Sequence, residues 1–246
     1  MILITGATSG IGRQLVEDYT KSGADVVACG RNLEKLAGVK DDCKAHQGKV
    51  LTLAFDVTDR AQTTRVLSDF LREQEITVAI LNAGVCEYID DPLHFDAALV
   101  ERVFAANFFG VVYCLQALLA RMPVSSKIAI VDSMARQFPF VRAEAYGASK
   151  AAIHYFARSL QADIGQNGVQ VITISPGFVK TPLTDKNDFE MPMRVSVEHA
   201  SLAIRRGIAK GKSHIAFPRL FGGILSLLER LPRGIQNYLA TRMKQS

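Results

Sequence analysis

The chain has 246 residues, 48% of them apolar and 22% charged, a balance that supports a sizeable buried core and excludes a disordered polymer, which needs low hydrophobicity and high net charge. One α/β domain accounts for that length. The net charge of +5 is concentrated at one end, where segment 219–246 holds Arg219, Arg230, Arg233, Arg242 and Lys244 against Glu229; a nucleic-acid face spread over the domain is therefore excluded, because phosphate contacts need clustered cations over the docking surface.

In chain order, short β-branched runs predict strands at Ile2–Ile4, Asp25–Ala28, Val50–Phe55, Val78–Leu81, Ile128–Val131, Val169–Ile174 and Ser213–Phe217. Helical periods fill the gaps near 11–22, 33–45, 60–74, 97–121, 147–164 and 197–209. Strands alternating with helices predict a seven-stranded, mostly parallel sheet covered on both faces, a single doubly wound α/β domain over 1–218. Beyond it, 219–246 reads as an amphipathic helical extension of the same domain, with Leu220, Phe221, Ile224, Leu225, Leu227, Leu228 and Leu231 at helical spacing. That extension reads first as a helix pair packed on its own domain or across a subunit interface, and second as a peripheral membrane contact.

Cys29, Cys43, Cys86 and Cys114 form no C-x-x-C pair, so neither a disulfide framework nor a metal site is expected, and a reduced, cytoplasmic compartment fits. The apolar runs fall short of the roughly 18–20 residues a span needs, and no basic leader precedes the first strand, so no export is expected. The five histidines show no ligand spacing.

The first strand runs into Thr5-Gly6-Ala7-Thr8-Ser9-Gly10-Ile11-Gly12, which opens the first helix. Glycines there let backbone approach a pyrophosphate, and the free amides and dipole of the helix N-terminus favour its charge. Tyr146 and Lys150 stand four apart, sharing a helix face with Cβ atoms about 5–6 Å apart. A phenol titrates near 10, and a neighbouring ammonium favours its ionised form, which makes the pair suited to acid–base work. Ser133, at the carboxyl edge of the fifth strand, could hydrogen-bond a substrate carbonyl. At the end of the second strand Arg31 stands where NAD-binding sites place an acid, and its planar fork suits the extra phosphate of NADP. NADP is the expected cofactor, with NAD possible.

The T-G-x-x-x-G-x-G turn, Asn82-Ala83-Gly84, Asn107, Ser133, Tyr146-x-x-x-Lys150 and Pro176-Gly177 with Thr181 together resemble the short-chain dehydrogenase/reductase family, in its branch of about 250 residues. The resemblance implies a Rossmann fold and a catalytic set of Ser133, Tyr146, Lys150 and Asn107. Tyr146 would donate the proton, Lys150 would grip the nicotinamide ribose and lower the phenol pKa, Ser133 would orient the substrate, and Asn107 would hold a water linking Lys150 to solvent. Without that role, Asn107 would satisfy backbone groups at a helix kink. Cofactor contacts implied are Gly6, Thr8, Ser9, Gly10, Ile11, Gly12, Arg31, Asp56, Val57, Asn82, Ala83, Gly84, Tyr146, Lys150, Pro176, Gly177, Val179 and Thr181.

The expected reaction moves hydride between the nicotinamide and a carbonyl or alcohol of a moderately apolar small molecule; the alternative is a dinucleotide-binding sensor or scaffold that keeps the fold without turnover. Phe189, Met191 and Met193, in the segment 183–193 that contains Lys186 and Asp188, are expected near the substrate or in core packing, and Gln137, Phe138, Phe140 and Val141 are expected to line the same pocket. The helices around 108–121 and 147–164 resemble the family's dimerisation pair, which implies a homodimer or homotetramer, with His154 and Tyr155 placed at a subunit contact.

Overall fold

Strands β1 (Ile2–Thr5), β2 (Val26–Gly30), β3 (Val50–Ala54), β4 (Val78–Leu81), β5 (Lys127–Val131), β6 (Gln170–Pro176) and β7 (His214–Phe217) form one sheet in the order β3-β2-β1-β4-β5-β6-β7. The computed structural model describes residues 1–185, 187 and 189–243, so Lys186, Asp188 and Lys244 lie outside the described residues. Every strand pair is parallel, where a mostly parallel sheet was expected. Parallel neighbours need a crossover rather than a tight turn, and helices supply it: α1 (Gly10–Lys21), α2 (Leu33–Asp42), α3 (Arg60–Phe70), α4 (Ala97–Phe104), α5 (Gly110–Leu119), α6 (Glu144–Ile164) and α7 (Val197–Ala209). This is the doubly wound Rossmann arrangement.

Side-chain alternation sorts the core into two layers. Ile2 and Ile4 face a cluster with Leu15, Val16 and Ile204, while Leu3 between them faces Leu67, Leu115 and Ile153 on the other side. Leu3 and Leu15 are fully buried, and truncating either to alanine would cost about 2–5 kcal/mol. Short polar residues start the helices: Asn32, Asp59 and Ser196 accept hydrogen bonds from the amides of Lys35, Gln62 and His199, satisfying donors that the first turn leaves open.

The helix expected over 97–121 is not regular. A five-residue π-helical turn, Ala105–Phe109, separates α4 from α5 and carries Asn107 at its centre. By length and composition the whole stretch Ala97–Leu119 could cross a membrane, but Val103, Val111, Leu115 and Leu118 are buried in the protein core.

The chain leaves β1 toward β2 and β3 on one side and returns to β4 on the other, so the carboxyl ends of β1 and β4 flank the crevice where open α/β sheets bind ligands. After β7, α8 (Arg219–Glu229) and α9 (Arg233–Met243) pack on a third cluster of Met134, Phe138, Phe221, Leu225 and Ala240.

Candidate active site

The glycine turn after β1 is held by backbone and side chains that leave no slack. Gly6 and Gly10 have φ of +65° and +53°, conformations that L side chains rarely adopt. A Cβ on Gly12 would lie 2.2 Å from the Gly6 carbonyl oxygen, so the turn closes only because that atom is missing. Across the crevice, Thr5 Oγ1 accepts from the amides of Asn82 and Ala83 at 3.0 and 3.1 Å, and Asn82 Nδ2 donates to the Thr5 carbonyl at 3.1 Å. Thr181 closes the other side, 3.1 Å from where a Gly10 Cβ would stand. Ser9 takes the N-cap position of α1 without a side-chain capping bond, which leaves first-turn amides for an outside acceptor. A close-approach glycine turn with uncommitted amides fits a dinucleotide pyrophosphate.

Three consecutive residues at the end of β5 grip three consecutive turns of α6. The Val131 carbonyl accepts from Lys150 Nζ at 3.0 Å, the Asp132 carboxylate pairs with His154 Nδ1 at 2.5 Å, and the Ser133 and Tyr146 hydroxyls share a hydrogen bond. Tyr146, Lys150 and His154 recur every four residues, so one helix face carries all three. Lys150 Nζ lies 5.8 Å from the centroid of the Tyr146 ring. Ser133 stands just past β5, capping a short 3-10 turn from Met134 to Arg136.

Burial dominates the titration of both groups. It pushes the Tyr146 phenol above its ordinary value of 10.0, with Cys86 and Asp132 acting in the same sense and the Ser133 hydroxyl opposing. It lowers Lys150 from 10.5 to about 8 against the attraction of Asp132 and Cys86. Without a cofactor charge nearby, the cluster therefore keeps the phenol protonated at neutral pH.

Asn107 lies beside this cluster. A Cβ on Gly84 would meet Asn107 Oδ1 at 2.8 Å and Lys150 Nζ at 3.4 Å, so Gly84 leaves the space between them open. Asn107 Nδ2 donates to the Val85 carbonyl at 2.9 Å and to Ser149 Oγ at 3.0 Å, while Asn107 Oδ1 accepts from Val85 N at 2.8 Å. Both Nδ2 hydrogens are thus engaged and one Oδ1 lone pair remains. These bonds anchor the π turn, as expected of an asparagine at a kink.

Arg31 and Asp56 meet at the outer end of the crevice, Nη1 to Oδ2 at 3.4 Å. The guanidinium is 69% exposed, and such a surface pair contributes at most about 1 kcal/mol, so a phosphate can compete for it. Burial opposes ionisation of Asp56, but hydrogen bonds from Thr58 and the Arg31 charge outweigh it and hold the carboxyl below its usual range. Asp59, three residues on, caps α3. Val57 lies under Gly110. Pro176 ends β6, Gly177 N bonds to the Phe217 carbonyl at 2.8 Å, and Val179 forms an isolated bridge with Val195.

Several expectations change. His154 is no surface contact: it is turned inward onto Asp132, whereas Tyr155 is 75% exposed. Phe138 packs beneath α8 and α9 with Met134 and Phe221, and Gln137 donates to Ser226 Oγ at 3.0 Å, so both brace the extension. Phe189 continues an aromatic chain, Tyr88–Phe189–Phe178–Phe221, with centroid separations of 5.7, 6.1 and 5.6 Å. Tyr88, Phe178 and Asp132 had no place in the sequence reading. An acid after the apolar run Ile128–Val131, with a histidine one helical turn beyond Lys150, was the available signal for Asp132.

A family model described as short chain dehydrogenase matches residues 1–191. An uncharacterized oxidoreductase of Myxococcus xanthus is 30% identical over 245 residues, spanning 98% of this chain and 96% of its own. Among solved structures, a short-chain dehydrogenase/reductase of Burkholderia phymatum in complex with NAD superimposes with a TM-score of 0.82 at 20% identity, covering 91% of this chain and 90% of that one. A short-chain dehydrogenase of Sphingobium yanoikuyae in complex with NADPH gives 0.79 at 22% identity over 94% and 96%.

Proposed function

Because the chain belongs to the short-chain dehydrogenase family, we propose that it is an NADP(H)-dependent oxidoreductase acting on the carbonyl or secondary alcohol of a moderately apolar small molecule. The observation that carries this reading is the convergence of Ser133, Tyr146 and Lys150 at the carboxyl edge of the sheet, beside a glycine turn suited to a dinucleotide. When bound, the nicotinamide supplies or accepts the hydride. The chain's residues handle the proton. Ser133 Oγ holds the substrate oxygen, Tyr146 gives its proton to that oxygen as the alcohol forms, and Lys150 offsets the phenolate left behind. A phenol kept protonated by burial favours the reducing direction.

The glycine turn of Gly6, Thr8, Ser9, Gly10, Ile11 and Gly12 would hold the pyrophosphate, Arg31 the 2′-phosphate, Asp56 and Val57 the adenine side, and Val179 with Thr181 the carboxamide. One of the solved neighbours holds NAD and another NADPH, so the NADP preference rests on Arg31. An apolar substrate is supported by the aromatic chain from Tyr88 to Phe221. Phe109 and Tyr155, exposed on the α4–α5 and α6 side, support a homodimer or homotetramer, and the four free cysteines suit a cytoplasmic enzyme.

Tyr146→Phe tests the reading. Loss of turnover by about 100-fold or more with cofactor binding retained supports it, and undiminished carbonyl reduction overturns it. Tighter binding of NADH than NADPH in a fluorescence titration would reverse the cofactor preference.

A further inference from the structure

The outer surface of α8 and α9 plays no part in that reaction, yet it is built from apolar residues. Phe221, Leu225 and Leu228 pack inward on the third core cluster. At the helical period, Leu220, Ile224 and Leu227 fall on a different strip, and Leu220 and Leu227 are 68% and 65% exposed. Helix α9 repeats the division: Leu239 and Ala240 turn inward, while Ile235 and Tyr238 are exposed. Cations border both strips. Arg219 opens α8, Arg230 follows it, Arg233 opens α9 and Arg242 stacks over Tyr238 at 5.3 Å. From 219 to 243 the only acid is Glu229.

From this arrangement we infer that the α8–α9 pair docks the protein on an anionic lipid bilayer, with the exposed leucines entering the headgroup boundary and the arginines meeting lipid phosphates. Amphipathic helices with cations flanking an apolar strip bind such surfaces, each cation adding to the attraction. A second copy of the chain suits the patch less well. A two-fold contact brings the patch a second copy of itself, which supplies one acid, Glu229, for four arginines, whereas an anionic surface supplies a phosphate for each. The opposite, inward side of the same helix reaches toward the crevice: Phe221 packs against Gly177 and Phe178, and Met134, next to Ser133, touches the Gly222 position. The inference stands on this surface alone and does not require the proposed reaction.

The test is sedimentation of the full-length protein with vesicles of phosphatidylcholine, or of phosphatidylcholine with a share of phosphatidylglycerol. The protein is expected to sediment with the anionic vesicles and to be released as salt rises. Arg230→Gln with Arg233→Gln should lower partitioning about 30-fold, roughly five-fold per charge. Leu220→Ser with Leu227→Ser should lower it at least about tenfold at any salt concentration. All four positions are exposed, and circular dichroism checks that the variants fold; should one pair fail, the other pair and the wild-type response to phosphatidylglycerol still decide. A wild-type protein that ignores anionic vesicles overturns the inference, as does sedimentation unaffected by both pairs. So does a leucine variant that falls to a smaller species in sedimentation velocity while the wild type leaves vesicles unbound, which would assign the patch to a second copy.

Discussion

The two flanks of the crevice are made of different materials. On the cofactor side the shape is fixed by backbone: two glycines at positive φ, a turn that crosses itself, and hydrogen bonds from Thr5 and Asn82. On the opposite side it is fixed by rings and a thioether in contact, Tyr88, Phe189, Phe178, Phe221 and Met134. Directional bonds tolerate little displacement, whereas apolar contacts exchange partners at modest cost. In the proposed reaction the backbone flank would hold the dinucleotide and the apolar flank the variable substrate.

That contrast predicts an order of effects. Gly12→Ala strikes the backbone flank, since its Cβ would lie 2.2 Å from the Gly6 carbonyl oxygen and 2.8 Å from Asn82 Nδ2. Dinucleotide affinity should fall by at least about 100-fold; unaltered fluorescence titration would break the comparison. Asp132→Asn acts between the flanks, removing the charge that binds His154. We expect kcat to fall by up to about 100-fold while dinucleotide Kd moves far less, because the backbone flank that would hold the pyrophosphate is built from the glycine turn and Asn82 and does not include α6. A Kd that moves as much as kcat would reduce Asp132 to a general structural role.

Phe189→Ala strikes the apolar flank. It removes two edge-to-face ring contacts worth about 0.5–1.5 kcal/mol each, so KM for an apolar carbonyl should rise about fivefold while cofactor affinity holds. The smallest effect is a slope. Lys150 titrates at about 8 in the fold against 10.5 in the open chain, so between those values the unfolded chain binds more protons and stability rises with pH. Tyr146, raised above 10.0, reverses the sense beyond that point. Burial also raises the four thiols above 9.0, which pulls stability down over the same range in any variant that keeps them, so the check is a difference: from pH 8 to 10 the denaturant midpoint of the cofactor-free wild type should gain on that of Lys150→Met.

The same contrast explains what could be read from the sequence. Strand periods, the glycine turn and the Tyr146–Lys150 spacing are local patterns, and local backbone needs leave residue types at fixed offsets. The π turn at Ala105–Phe109 was invisible because its cause, Asn107 bonding to Val85 and Ser149, lies 22 and 42 residues away. Asp132 and His154 are likewise 22 apart, and His154 read alone is one more surface imidazole. The aromatic chain joins Tyr88 to Phe221 through residues whose proximity only the folded sheet creates. Arg31 was legible as a cation at the strand end, but not its pairing with Asp56.

Residues 131, 132 and 133 hold successive turns of α6 at once, and this has a consequence for redesign. Sliding or tilting that helix would release an ammonium, an imidazole and a phenol together, so the proposed proton-handling set is kept whole or lost whole. New specificity must be sought elsewhere, in the segment around Phe189 and in the helices that follow β7, where side chains can be exchanged without disturbing that three-point clasp.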